Sequence, residues 1–224
     1  MESFMKLKTQ LLIAFIISLV SLLAFSVMAL LVRRNTIVSF DSSIISYVQG
    51  LEAPWLTTIM RFFTFIGDTI PVIILTLVSL LLLYKVLNHR AELVLFLAVM
   101  LGANILFLTL KSFFHRARPD LHRLAEATNY SFPSGHATMA FALYGVLTFL
   151  LWRHINTPFK RTIHIIVSSI VILSIGISRI YLGVHYPSDI LAGYFISAFW
   201  LTLAIGFFQR YRDKRKRKVS SPSG

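Results

Sequence analysis

The chain of 224 residues contains no cysteine, and only 9 of its residues are acidic. The missing cysteine excludes a disulfide scaffold, thiol catalysis and thiolate-bound metal. Charge of either sign is scarce: 14% of residues are charged, against about 25% in an ordinary soluble domain. That scarcity excludes a disordered chain and a coiled coil, and almost any soluble globular domain. Apolar residues fill the space, at 56% of the chain. The 22 basic residues leave a formal charge of +13. In so apolar a chain this excess points to a membrane surface and not to nucleic acid.

A bilayer core about 30 Å thick needs roughly 20 apolar residues per helix. Six stretches qualify as candidates: 11–32, 70–87, 92–110, 137–152, 162–182 and 190–208, the fourth being short. The expected fold class is all-α, a polytopic membrane bundle of six transmembrane helices. The first stretch has an apolar run too long for a signal peptide, whose hydrophobic region spans about 7–15 residues, so an uncleaved helix is expected. With the N-terminus inside, 14 of the 22 basic residues fall on the inner side, including the run Arg210–Lys218. The positive-inside rule then predicts a multi-pass protein of the plasma membrane with both termini in the cytoplasm. Residues 1–209 would form one membrane domain and 210–224 a basic cytoplasmic tail, loose at its last residues. Between the first two crossings lies the outer segment 33–69. Asp41 is placed there to N-cap a short helix ending near Gly50, and Pro54 and Trp55 open another. Both are expected to lie in the interface.

Three polar clusters fall at one membrane face in this topology. The first runs from Lys111 through Arg118-Pro119-Asp120 at the outer end of the third crossing, where Pro119 is expected to stop the helix at about Arg118. Arg116 and Arg123 add to the outer positive charge. The second, Pro133-Ser134-Gly135-His136, opens the fourth crossing. Ser134 is a good N-cap, Gly135 allows close approach, and the free N–H groups of a helix start favour an anion. The third, Ser178-Arg179 to His185 to Asp189, joins the fifth crossing to the sixth. Pro187 predicts a turn there, and a carboxylate beside a histidine fixes which ring nitrogen carries the proton.

Taken singly, each cluster reads as snorkelling cations or ordinary helix capping. Together they place three cations, two histidines, one aspartate and one helix N-terminus on a single face. Phosphoryl transfer uses such a set: cations and N–H groups hold phosphate oxygens, one histidine attacks, and the other protonates the leaving oxygen. The residue types alone do not decide which histidine attacks, although Asp189 near His185 favours that one.

The pattern Lys111-x6-Arg118-Pro119, Pro133-Ser134-Gly135-His136 and Ser178-Arg179-x5-His185-x3-Asp189 resembles the three-part signature of the type 2 phosphatidic acid phosphatases. The resemblance covers about 30 residues within 111–189, and the layout is similar to the integral-membrane branch of that family. It implies a lipid phosphate phosphatase with no cofactor and no metal. His185 would be the nucleophile, forming a phosphohistidine, and Asp189 would orient it. His136 would be the general acid, then the base for water. Lys111, Arg118, Arg179, Ser134 and Gly135 would hold the phosphate. The implied substrates are phosphatidylglycerol phosphate, undecaprenyl diphosphate or phosphatidic acid at the outer face, and the sequence does not separate them. The oligomeric state stays open.

The outer loops of the site region hold only Asp120, Glu126 and Asp189 as acids, so two-metal catalysis is not expected. His115 and His122 read as solvated or substrate-contacting, not as metal ligands. Two other classes fit the same residues. A phosphotransferase would pass the phosphoryl group to an acceptor other than water. A transporter of anionic lipid would instead bury polar residues at mid-membrane, whereas here they gather at one end.

Overall fold

The computed structural model describes the backbone of residues 2–86, 90–120, 122–152 and 154–220, with side chains except at 2–7, 86 and 216–220. The described residues form eight α-helices and no β-strand: α1 (Glu2–Arg33), α2 (Val38–Gln49), α3 (Pro54–Ile66), α4 (Thr69–Leu81, continued by a π-helical turn Leu82–Val86), α5 (Arg90–Phe114), α6 (Gly135–Leu151), α7 (Pro158–Tyr181) and α8 (Pro187–Ser220). Segments of α1, α5, α7 and α8 are each long and apolar enough to cross a bilayer. The α3–α4 pair, bent by 49°, adds a fifth if it is one broken span, and α6 is apolar but shorter. The outward side chains of α1, among them Leu12, Phe15, Val20 and Leu23, are exposed. A helix this apolar needs lipid around its free face.

The core lies between α5, α6 and α8, where Phe96, Val99, Leu143 and Val146 are fully buried. Between helices in lipid, close packing and hydrogen bonds replace the hydrophobic drive. Small residues make that packing possible. A Cβ on Gly193 of α8 would stand 2.9 Å from the Ser134 carbonyl and 3.0 Å from Thr138 Oγ1, both on or beside the start of α6. Trp200 of α8 lies against Gly102 of α5 and donates its indole N–H to the Ala98 carbonyl at 3.1 Å.

Three local expectations need correction or extension. Asp41 does not cap α2. The helix begins at Val38 with Ile37 at the cap position, and Asp41 lies inside the first turn, 1% exposed. Its carboxylate is drawn inward by a half-buried arginine. Pro119 does not set the end of α5, which stops at Phe114 because His115 takes a left-handed φ of 49°. The segment from 210 begins as a continuation of α8, which runs through it to Ser220. Of the expected loose end at 220–224, Ser220 instead closes α8, while 221–224 and the inner Arg153 lie outside the described residues.

Candidate active site

The turn between α7 and α8 sets the position of His185. Gly183, at φ 72°, lets the chain reverse past the end of α7, so that the Arg179 carbonyl accepts from Val184 N at 3.1 Å and His185 N at 3.3 Å. A side chain on Gly183 would also collide with the His122 carbonyl. Pro187 then starts α8, where its missing N–H costs nothing. In the first turn of α8 Asp189 accepts from Tyr186 N at 3.0 Å with Oδ2, and the same oxygen is 3.3 Å from His185 Nδ1. One carboxylate thus caps the helix and holds the imidazole.

Arg118 fixes the tautomer of that imidazole. Its Nη1 lies 3.1 Å from His185 Nε2 and donates to the Val184 carbonyl at 2.7 Å. A guanidinium only donates, so Nε2 carries a lone pair and the proton sits on Nδ1, facing Asp189. Burial pushes the His185 pKa down to about 4, against the opposing hydrogen bond and charge of Asp189. The ring is therefore neutral near pH 7, with Nε2 unprotonated.

The early end of α5 makes this possible. Beyond Phe114 the chain is non-helical, and Arg116 and Arg118, two residues apart, both reach the start of α8. Arg118 goes to His185. Arg116 donates to Asp189 Oδ1 at 2.7 Å, to Ser188 Oγ at 2.7 Å and to Asp41 Oδ2 at 2.8 Å, and its guanidinium stacks 3.9 Å from the Tyr186 ring centroid. Asp41 in turn accepts from Ser188 N at 2.9 Å and Ser188 Oγ at 2.7 Å. Asp41 and Asp189 are thus joined through one guanidinium and one serine. The segment itself is pinned by Ser131, whose N–H donates to the Arg116 carbonyl at 2.8 Å.

The remaining residues close the other side. Ser134 caps α6 by accepting from Ala137 N at 3.4 Å, and its own N–H donates to the Asp189 carbonyl at 3.1 Å, tying the starts of α6 and α8 together. Gly135 faces the Phe107 ring, over which Lys111 Nζ sits at 5.9 Å from the centroid. Arg179, 5% exposed, donates from Nη1 to Thr64 Oγ1 at 3.2 Å, while its buried Nε has no partner among the described residues. An unpaired buried guanidinium N–H is costly, and a phosphate oxygen would satisfy it. His136 lies among Arg179, His185, Lys111 and Arg118, and its Nε2 is 3.8 Å from Asp68 Oδ1.

All eight residues singled out in the sequence thus meet at one end of the bundle: Lys111, Arg118, Ser134, Gly135, His136, Arg179, His185 and Asp189. His115 instead stacks edge-on against Tyr130, and His122 lies 3.4 Å from Glu52 in an exposed position. No three His, Asp or Glu side chains among the described residues converge as a metal site. Asp41, Thr64, Asp68, Arg116 and Ser188 join the site without having been assigned to it from the sequence. Acidic residues in so apolar a chain were the available signal, because each needs a partner or water.

An all-helical, multi-pass membrane protein with two histidines among clustered cations has the form of a membrane phosphatase. A family model described as the PAP2 superfamily matches residues 92–213, and the chain belongs to that family. It is similar to phosphatidylglycerophosphatase B of Bacillus subtilis (strain 168), 30% identical over 203 residues, covering 87% of this chain and 96% of that protein. An Escherichia coli (strain K12) protein provisionally named undecaprenyl-diphosphatase YbjG is 29% identical over 150 residues, covering 63% of this chain and 68% of its own length. The crystal structure of the first transmembrane PAP2 type phosphatidylglycerolphosphate phosphatase from Bacillus subtilis superposes with a TM-score of 0.73 at 28% identity, covering 85% of this chain and 94% of that one. The chain stands among membrane lipid phosphatases.

Proposed function

We propose that the protein hydrolyses a lipid phosphate through a phosphohistidine on His185, without a metal ion, at the outer face of the plasma membrane. The observation that carries this reading is the line Asp189 Oδ2, His185 Nδ1, His185 Nε2, Arg118 Nη1, with separations of 3.3 and 3.1 Å across the ring. It leaves a neutral imidazole with its lone pair turned toward a cation. When a phosphate enters, Arg118 can move its N–H to a phosphate oxygen and free Nε2 to attack. Lys111, Arg179 and the start of α6 at Ser134 and Gly135 hold the other oxygens. As the Nε2–P bond forms and the P–O bond breaks, His136 gives a proton to the departing oxygen. Water then attacks phosphorus, losing its proton to His136, and the N–P bond breaks to release phosphate.

The topology belongs to the same reading. Six crossings, with α4 as the second and α2 and α3 along the outer interface, put both termini inside; 1–209 is the membrane domain and 210–224 the basic tail. The charge distribution supports this, with 14 of 22 basic residues inside. Cysteine placed at Arg123 should react with an impermeant thiol reagent in intact cells, and at Lys216 should not; the opposite pattern inverts the topology. The substrate classes supported by the relatives are phosphatidylglycerol phosphate and undecaprenyl diphosphate, with phosphatidic acid as a third candidate.

The decisive experiment traps labelled phosphoenzyme from an activated phosphate ester in the presence of EDTA, with alkaline handling to preserve phosphohistidine. Wild type should label transiently, His136→Ala should accumulate label, and His185→Ala should form none. Label retained in His185→Ala reverses the histidine roles, and loss of all turnover that Mg2+ restores ends the metal-independent mechanism. Phosphate release from a panel of the three lipids then selects the substrate.

A further inference from the structure

The elbow between α3 and α4 belongs to the outer segment that carries no part of the phosphatase signature, yet it closes over the acid–base side of the site. Thr64 near the end of α3 takes the Arg179 Nη1 hydrogen bond and exchanges another with Ser178 Oγ at 2.8 Å. Gly67 lies against the His136 ring, so closely that a Cβ there would stand 3.4 Å from Cδ2 and 2.6 Å from Ile175 Cγ2. Asp68 follows. It caps α4 by accepting from Thr69 N at 2.8 Å, and the same Oδ1 is 3.8 Å from His136 Nε2. That nitrogen is buried and has no hydrogen-bond partner among the described residues.

We infer that Asp68 is the positioning residue of the general acid. Resting on the reading of His136 as that acid, it holds the Nε2 side of the ring and leaves Nδ1 as the nitrogen that exchanges a proton with the substrate. The need for a carboxylate there is electrostatic. The charged and titratable groups facing His136 are Lys111 of α5, Arg118 of the following loop, Arg179 of α7 and His185 of the α7–α8 turn, with Asp68 from the α3–α4 elbow. Burial first, and then these cations, oppose an imidazolium, and Asp68 is the acid beside it. In the first step the Nδ1 proton passes to the ester oxygen while the P–O bond breaks and the His185 Nε2–P bond forms. In the second, a water proton returns to Nδ1 while the O–P bond forms and the N–P bond breaks. Asp68 stabilises the ring in its protonated half of the cycle, and the gap of 3.8 Å closes to a hydrogen bond in that half.

The test compares Asp68→Asn, Asp68→Glu and His136→Ala on two substrates. Asparagine caps helices as well as aspartate does, so the start of α4 is preserved while the charge is removed. With a lipid monophosphate, whose alkoxide leaves only with a proton, Asp68→Asn should lose about 10-fold in kcat. The burst of nitrophenolate from an activated aryl phosphate should fall far less, and phosphoenzyme should persist longer. The alkaline limb of kcat/KM on the lipid should move down by about one pH unit, since His136 now surrenders its proton more easily. Asp68→Glu should recover part of the loss. Equal loss on both substrates, or an unmoved alkaline limb, makes Asp68 a structural cap and overturns the inference. If His136→Ala depends on the leaving group and Asp68→Asn does not, only the role of Asp68 falls. If His136→Ala itself shows no such dependence, the general-acid assignment falls and this inference with it.

Discussion

His185 and Asp189 lie 3.3 Å apart with side-chain exposures of 2% and 0%, whereas His136 and Asp68 lie 3.8 Å apart and that aspartate is 56% exposed. The carboxylates also differ in what holds them. Asp189 is fixed by Arg116, by Tyr186 N and through Arg116 by Asp41. Asp68 is held by Thr69 N at the helix start. The difference fits the roles proposed for the two histidines. A nucleophile works from one tautomer throughout, so rigidity favours it. An acid that becomes a base must change its proton content in each cycle, and a looser, partly wet partner tolerates both states.

The sharpest way to break this comparison is to remove the two carboxylate charges one at a time. Asp189→Asn should cost about 10³–10⁴ in kcat on every substrate, because the amide can turn its NH₂ to the ring and favour the tautomer with hydrogen on Nε2. Asp68→Asn should cost far less and only where the leaving group needs a proton. Single-turnover rates of the phosphorylation step on a lipid monophosphate and an aryl phosphate, side by side, read both. Similar losses in the two variants on both substrates would erase the distinction.

How much of this was legible in the sequence follows the same division. The motif residues announce themselves by type and spacing: Pro-Ser-Gly-His at a helix start and His-x3-Asp across a proline state their local geometry. The helices α1, α5, α7 and α8 follow from long apolar runs. What escaped is long-range. Asp41 precedes Arg116 by 75 positions and Ser188 by 147, and no local pattern pairs them. Asp41 has the features of an N-cap until Arg116 is seen to draw it inward. Arg116 is hidden for a different reason: the sequence predicts a helix to about Arg118, and only the left-handed His115 releases the chain early enough to turn it toward Asp189. Asp68 meets His136 because α3 and α4 bend at that point, and the bend has no sequence partner at residue 136.

The next test removes the support beneath the tight pair. Arg116→Gln leaves Asp41 and Asp189 buried without their shared cation. Breaking a buried ion pair from one side costs about 3–5 kcal/mol, so the variant should melt well below wild type in detergent. Asp41→Asn removes one charge but keeps an acceptor for Ser188 N, and should cost about 1–2 kcal/mol. Thermal unfolding of both variants at one pH gives the ranking. If Asp41→Asn proves the more destabilising, the network is anchored from α2 and not from Arg116.

The smallest expected effect is a pH dependence that should belong to the tight pair. His185 is pushed down to about 4 in the folded protein and returns to about 6.5 on unfolding. Between those values the unfolded chain binds a proton that the folded chain refuses. Stability from this group is therefore complete above about pH 6.5 and is lost as pH falls toward 4. The slope is at most about 1.4 kcal/mol per pH unit, or roughly 3–5 °C in Tm for a chain of this size. Other groups titrate in the same range, so the informative quantity is a difference. His185→Gln, which cannot take a proton, should flatten the Tm profile between pH 6.5 and 4.5 relative to wild type. Asp189→Asn should leave it at least as steep, since loss of that carboxylate removes what opposes the downward push. A His185→Gln profile parallel to wild type across that window would mean that the folded protein already accepts a proton there, and the rigid neutral nucleophile would have to be abandoned.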